Sequence, residues 1–287
     1  MDDEKHVVVT GSFDNLRSRH VRFLEEAAKL GAVHVLLWPD EIVRSLEGKL
    51  EYPQEERLYL LQAIRYVRRV TLVADDAARD AIARDTIPQV DEVRPGVWVV
   101  DEASADARGD NARKRAYCES RGVAYHVLKA EDLKGFPVAR FDAHMDEGQP
   151  SRKKVIVTGC YDWFHSGHVR FFEEVSELGD LTVVVGHDEN VRLLKGEGHP
   201  MFPQDERRYV VGSIRTVKQA LVSTGHGWMD AEPEIARIKP DIYAVNEDGD
   251  KPEKQEFCKA HGIQYVVLKR APKEGLPRRE STVLRGF

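Results

Sequence analysis

The sequence predicts an α/β protein of two tandem domains, each a doubly wound parallel sheet. Two observations carry this: an internal repeat that runs through nearly the whole chain, and, inside each copy, short β-rich runs alternating with segments of helical period. The repeat is plainest where Val9-Thr10-Gly11-Ser12-Phe13-Asp14 matches Val157-Thr158-Gly159-Cys160-Tyr161-Asp162. His20-Val21-Arg22-Phe23 then falls on His168-Val169-Arg170-Phe171, and Pro53-Gln54-Glu55-Glu56-Arg57 on Pro203-Gln204-Asp205-Glu206-Arg207. Further on, Cys118 falls on Cys258 and Val127-Leu128-Lys129 on Val267-Leu268-Lys269. Units of this length are too long for solenoid repeats, so the chain is a domain duplication. Residues 1–138 make the first copy, 139–152 a linker holding Gly148 and Pro150, and 153–287 the second copy.

In the second copy, Lys154 to Thr158 reads as a strand that closes at Gly159, and His168 to Leu178 carries apolar residues at helical spacing up to Gly179. Leu181 to Val185 is the next strand, followed by Gly186 and a helix-like Asp188 to Leu194. Ala220 to Val222, Ile242 to Val245 and Tyr265 to Leu268 continue the alternation. A parallel sheet with helices on both faces, of the Rossmann-like kind, binds its ligands outside the carboxyl ends of its strands. The loop from Gly159 to Gly167 lies at one such end.

Composition sets outer limits. The chain has 287 residues, 41% hydrophobic and 32% charged, which suits two ordinary globular domains. Its start, Met1-Asp2-Asp3-Glu4-Lys5, lacks the basic beginning and apolar core of a signal peptide. No apolar run approaches the roughly 20 residues of a membrane span. Cys118, Cys160 and Cys258 are too few and too scattered for a disulfide framework, and a cytoplasmic location is expected. A net charge of −6 excludes a broad nucleic-acid footprint, so positive potential must be local.

The chemistry concentrates in His165-Ser166-Gly167-His168, between a strand and a helix. Two imidazoles can donate hydrogen bonds to phosphate oxygens, the glycine lets backbone approach, and the helix N-terminus adds free N–H groups with partial positive charge. No third ligand at usable spacing supports zinc. Asn246 follows a strand at the same edge, where it would read a base or ribose or simply make a turn.

The run Gly159-Cys160-Tyr161-Asp162-Trp163-Phe164-His165-Ser166-Gly167-His168 resembles the signature of the cytidylyltransferase-like family, notably ethanolamine-phosphate and glycerol-3-phosphate cytidylyltransferases. The likeness extends through Val185-Gly186-His187-Asp188-Glu189, Lys195-Gly196, Glu206-Arg207-Arg208-Tyr209 and Arg279-Glu280-Ser281-Thr282, the last being more compact than the family's late motif. The tandem arrangement also resembles the ethanolamine-phosphate enzyme. The resemblance implies transfer of CMP from CTP to a phosphorylated alcohol, releasing pyrophosphate, with Mg²⁺ carried on the triphosphate and no direct protein ligand to the metal. His165, His168, Lys195 and Arg207 would be catalytic. Gly159, Cys160, Tyr161, Asp162, Gly167, Asn246, Arg279, Ser281 and Thr282 would hold the nucleotide. It also implies a homodimer, or pairing of the two halves within one chain in its place.

Two other readings stand beside this one. The same loop serves adenylyltransferases acting on sugar phosphates or cofactor precursors, and a descendant of a transferase can bind nucleotide without turnover. The first copy has Arg17-Ser18-Arg19-His20 in place of the histidine loop, Glu47 in place of Lys195, and nothing equivalent to Ser281-Thr282. A carboxylate and a filled glycine position make it a catalytically inactive partner.

Overall fold

The computed structural model describes residues 6–73, 76–84, 86–88, 94–106, 111–138 and 152–280. The chain divides into two compact units, Met1–Gly135 and Phe136–Phe287. The break falls slightly before the expected one because Phe136 already belongs to the second unit. Its ring packs 5.8 Å from that of Tyr209, and its carbonyl accepts a 2.8 Å bond from Arg208 Nη2. Most of the expected linker lies outside the described residues.

The first unit runs β1 (His6–Gly11), α1 (Ser18–Ala28), β2 (Ala32–Leu37), α2 (Asp40–Glu47), α3 (Gln54–Ala63), β3 (Val67–Leu72), α4 (Asp76–Ala83), β4 (Val97–Asp101), α5 (Glu102–Asp106), α6 (Asn111–Arg121) and β5 (Ala124–Leu128). The second runs β6 (Lys154–Gly159), α7 (Ser166–Leu178), β7 (Asp180–Val185), α8 (Asp188–Lys195), α9 (Gln204–Gly212), β8 (Val217–Val222), α10 (Glu232–Ile238), β9 (Ile242–Asn246), α11 (Pro252–Ala260) and β10 (Gln264–Leu268). Short 3₁₀ turns sit at Gly227–Met229 and Glu247–Gly249. Both sheets are five-stranded and parallel in every pairing, in the orders β3-β2-β1-β4-β5 and β8-β7-β6-β9-β10. The strand order reverses between β6 and β9, and that crevice is where such sheets take their ligands.

Central strands are buried on both faces, which is why β6 and β7 read as unbroken apolar runs. One face of the second sheet packs Ile156, Val184, Tyr243 and Val245 against Ile235 and Cys258. Helix α7 presents Val169, Phe172 and Val175, all fully buried, three residues apart along one stripe. The edge strand β10 leaves Val267 exposed, and its pattern carries less apolar signal.

One buried side chain ties the carboxyl edge of each sheet together. Arg207 Nε donates to the Phe202 carbonyl at 2.8 Å, Nη1 to the Cys160 carbonyl at 2.6 Å, and Nη2 to the Gly186 carbonyl and Asp188 Oδ1, both at 2.7 Å. In the first unit, Arg57 Nε donates to the Tyr52 carbonyl at 3.0 Å, Nη1 to the carbonyls of Ser12 at 2.6 Å and Trp38 at 3.0 Å, and Nη2 to Asp40 Oδ1 at 2.7 Å. A neighbouring tie is duplicated as well. Asp14 accepts the Glu51 and Tyr52 N–H groups at 2.7 and 2.8 Å, and Asp162 Oδ1 accepts those of Met201 and Phe202 at 2.7 and 3.1 Å.

Because Arg57 is buried and its loss would strand three carbonyls and a carboxylate, Arg57→Ala is expected to lower the unfolding free energy by about 2–4 kcal/mol. Urea unfolding of the full chain measures it. A midpoint equal to that of the wild type would show that the guanidinium does not hold this edge.

Candidate active site

The loop after β6 is folded tightly around its own aromatic residue. Tyr161 has a left-handed backbone, φ +52°, and its ring turns back over Gly159, where a Cβ would lie 2.8 Å from the ring carbon Cζ. The ring is buried, edge-on to His168 at 5.3 Å and tilted against Phe172 at 5.3 Å. Burial also pushes its hydroxyl pKa well above the usual phenol range. Cys160 is half-buried, its carbonyl is held by Arg207, and burial raises its thiol pKa. The expected site residues Gly159, Cys160, Tyr161 and Asp162 thus shape the loop from within.

The two histidines close the loop onto α7. His165 precedes the helix, and its Nδ1 accepts the Gly167 N–H at 3.1 Å; His168 Nδ1 in turn accepts the His165 N–H at 3.3 Å. A neutral imidazole whose Nδ1 accepts carries its proton on Nε2, so these bonds assign both rings as Nε2–H donors. The rings stack at 3.9 Å with 22° between their planes. A Cβ on Gly167 would press to 3.0 Å on the His165 ring, so the glycine is what lets that ring lie over the helix start.

His165 is 1% exposed, and its Nε2 is buried with no hydrogen-bond partner among the described residues. An unmet buried donor costs about 1–3 kcal/mol, so it marks a place shaped for an acceptor. Burial, helped by the charges of Arg270 and Arg279, pushes the His165 pKa down to about 3. Burial also holds His168 well below its ordinary value, assisted by His165, Arg270 and Lys195. Both rings are neutral at pH 7.

The charges come from the rim. A cleft runs along α7, lined by Gly167, Phe171, Asn246, Arg270, Arg278 and Arg279 among others. Asn246 and Arg279 were expected in the site. Arg270 and Arg278 were not, although the repeat offers a signal: the match of Lys129 with Lys269 ends at the next position, where Ala130 faces Arg270. Arg270 Nη1 pairs with Asp248 Oδ2 at 2.5 Å, and Nη2 donates to the Arg279 carbonyl at 3.2 Å. Lys195 ends α8 in an exposed position, and its charge reaches His168 and Cys160. Ser281 and Thr282 lie outside the described residues.

Arg207 departs from expectation. It is 2% exposed and spends its donors on three carbonyls and Asp188, so it is a clamp beneath the loop and not a free cation facing a ligand. Asp162 likewise ties the loop to residues 201–202.

The first unit keeps the scaffold and changes the site. His20 Nδ1 accepts the Arg17 N–H at 3.0 Å, the counterpart of the His168 bond. Trp38 stands where Gly186 stands and packs against a cluster holding Val73, Ile87 and Trp98. In the second unit a Cβ at Gly186 would meet Val191 at 3.1 Å and Asp230 Oδ2 at 3.3 Å, so that position takes no side chain without a shift of its neighbours.

Comparison with known proteins agrees with the duplication. The family described as Cytidylyltransferase-like matches residues 8–132 and again 156–283. A FAD synthase of Ferroglobus placidus is 37% identical over 125 residues, which is 42% of this chain and 78% of that protein. A FAD synthase of Pyrococcus horikoshii is 38% identical over 126 residues, 42% of this chain and 82% of that protein. A bifunctional protein HldE of Desulfatibacillum aliphaticivorans is 31% identical over 135 residues, 46% of this chain and only 26% of its own length.

The depressed histidine makes stability pH-dependent with a definite sign. The folded pKa of His165, about 3, lies below its unfolded value, so the unfolded chain binds more protons between pH 6.5 and pH 3. Its contribution is complete above pH 6.5 and is lost as pH falls, by up to about 1.4 kcal/mol per pH unit. His165→Gln should flatten the decline in unfolding free energy between pH 6.5 and pH 4. An identical slope in the variant would mean that His165 is protonated in the native protein.

Proposed function

Because the chain belongs to the cytidylyltransferase-like family, we propose that its second unit is the working one and transfers AMP from ATP to a small phosphate monoester, releasing pyrophosphate. Nucleotidyl transfer onto a small phosphorylated molecule is the activity class of the chain. The motif resemblance to phospho-alcohol enzymes led to CTP as donor. The likeness to FAD synthases favours ATP, since FAD joins an adenylate to a flavin phosphate through a pyrophosphate link.

The observation that carries the reading is the buried Nε2–H of His165 at the start of α7, without a partner among the described residues and stacked on a second Nε2–H donor, with the charges of Arg270 and Arg279 acting on it and that of Lys195 on His168. The acceptor's phosphate oxygen attacks the α-phosphorus, the bond to the β-phosphate bridging oxygen breaks, and pyrophosphate leaves with that electron pair. His165 and His168 donate to the oxygens on which charge builds, and the helix N-terminus adds its N–H groups. Arg270, Arg279 and Lys195 supply full charges to the phosphates. Arg207 and Asp162 act as positioning residues that fix the loop. Mg²⁺ would enter on the phosphate oxygens of the triphosphate, completed by water. No described helix is long and apolar enough to cross a membrane.

The test incubates the full chain with Mg²⁺, ATP or CTP, and flavin mononucleotide, sugar phosphates, glycerol phosphate or phosphoethanolamine, and follows pyrophosphate. ATP-dependent release with one acceptor class is the expected result. A preference for CTP would return the donor to cytidine, and saturable nucleotide binding without release would make the chain a non-catalytic binder. Two variants locate the chemistry. His168→Ala should cut turnover by roughly 10²-fold or more with the fold intact, whereas His20→Ala should leave it within about twofold. Equal losses in both would place the first unit's loop in the reaction.

A further inference from the structure

The duplication supplies an internal control for residues near the cleft. In the first unit, Glu102 Oε2 accepts the Ala130 N–H at 3.2 Å; in the second, Glu247 Oε1 accepts the Arg270 N–H at 3.3 Å. Strand register agrees, with Asp101 opposite Leu128 and Asn246 opposite Leu268. This carboxylate-to-backbone bond therefore belongs to the fold, which uses it in both copies to tie the ends of two neighbouring strands.

The side chains beside it differ. Where the second unit has Asp248 and Arg270, paired at 2.5 Å, the first has Ala103 and Ala130. The sheet forms in the same order without the pair. Asp248 is 52% exposed and Arg270 24%, and an ion pair that open to water adds little to stability. The position of Asp248 is also costly for its surroundings: it sets a negative charge beside the cleft in which the phosphates are placed, where it repels them. A carboxylate kept there needs a compensating use.

That use is geometric. Arg270 has a long side chain with several freely rotating bonds, and orienting it at the moment of binding costs entropy. Asp248 holds Nη1 and the Arg279 carbonyl holds Nη2, so the guanidinium is fixed before a ligand arrives, with N–H groups to spare. Arg270 lines the same cleft as Gly167 of the histidine loop, Asn246 and Arg279, and its charge acts on both His165 and His168. Resting on the triphosphate reading above, we propose that Asp248 is a positioning residue whose task is to aim Arg270 at the phosphates.

Calorimetric titration of the full-length chain with sodium tripolyphosphate at fixed ionic strength tests this. Asp248→Asn is expected to weaken binding by roughly fivefold, although it removes a negative charge, because an unaimed arginine must be ordered by the ligand. Asp248→Glu should restore affinity to within about twofold. Arg270→Ala should weaken binding at least as much as Asp248→Asn, and adding Asp248→Asn to it should change nothing further. Should Asn at position 248 unfold the unit, as a melting curve would reveal, Asp248→Ala reproduces what the first unit already carries. Equal or tighter binding by Asp248→Asn, the result of simply removing a repulsive charge, overturns the proposal and leaves the site reading intact. Failure of the wild-type chain to bind tripolyphosphate overturns both.

Discussion

Each sheet's working edge hangs on one buried guanidinium. Arg207 reaches the loop after β6, the turn after β7, the carboxylate that opens α8 and the segment entering α9. Parallel strands end with carbonyls that have no partner within the sheet, and leaving one buried and unmet costs about 1–3 kcal/mol. A rigid fork of donors is suited to gather such carbonyls from several directions at once. The same balance decides what Arg207 can do for a ligand. Turning toward a phosphate would abandon three carbonyls and Asp188 together, a loss that a single new charge contact, worth about 1.5–3 kcal/mol net, does not offset. What Arg207 fixes is the path into the left-handed turn at Tyr161, and so the place where His165 begins the helix.

Comparing the two units separates fold from chemistry more sharply than either unit alone. The guanidinium clamp, the aspartate tie, the left-handed aromatic after the glycine and the backbone bond to the second histidine recur with nearly the same lengths. These are what the strand order requires. His165, Gly167, Gly186, Lys195, Asp248 and Arg270 are replaced by Arg17, Arg19, Trp38, Glu47, Ala103 and Ala130. Ala130 removes a guanidinium and Ala103 a carboxylate, Arg19 and Trp38 put side chains where glycine stood, Glu47 reverses a charge, and Arg17 exchanges an imidazole for a guanidinium. The second histidine survives as His20 because its Nδ1 closes a backbone bond that helix α1 uses whether or not a ligand is present.

The strands, helices and duplication were legible because periodicity and repetition report burial directly, and β6, α7, β7, α8 and β9 fall where the apolar pattern placed them. The histidine loop was legible because two imidazoles around a glycine at a helix start have few structural uses. Arg207 misled for a physical reason: a charged residue in a polar helix start looks solvated in sequence, and nothing local reveals that three distant carbonyls surround it. Asp162 was expected to hold the nucleotide, whereas its Oδ1 ties the loop to 201–202, partners that lie too far along the chain for a local motif to reveal. Arg270 escaped because its neighbours Lys269 and Ala271 gave no motif. Its role emerges only when parallel pairing brings the end of β10 beside the end of β9 and α7 closes the other side.

The division of labour within the site follows from crowding. Two imidazoles stacked at 3.9 Å, buried and ringed by arginines, cannot both carry charge, and burial holds each well below its ordinary pKa. On the proposed reading, charge for the phosphates would come from side chains on the rim, and direction from the neutral Nε2–H groups, whose aim is fixed by the backbone bonds at their Nδ1 atoms. That aim holds while the rings are neutral: a protonated ring would carry a hydrogen on Nδ1 and could no longer accept the backbone N–H that orients it. Neutral rings held in this way would need no reorganisation if charge moved onto α-phosphate oxygens beside them, the condition under which electrostatic stabilisation is largest. The unmet His165 donor is costly where it lies, and an anionic oxygen placed there would relieve that cost.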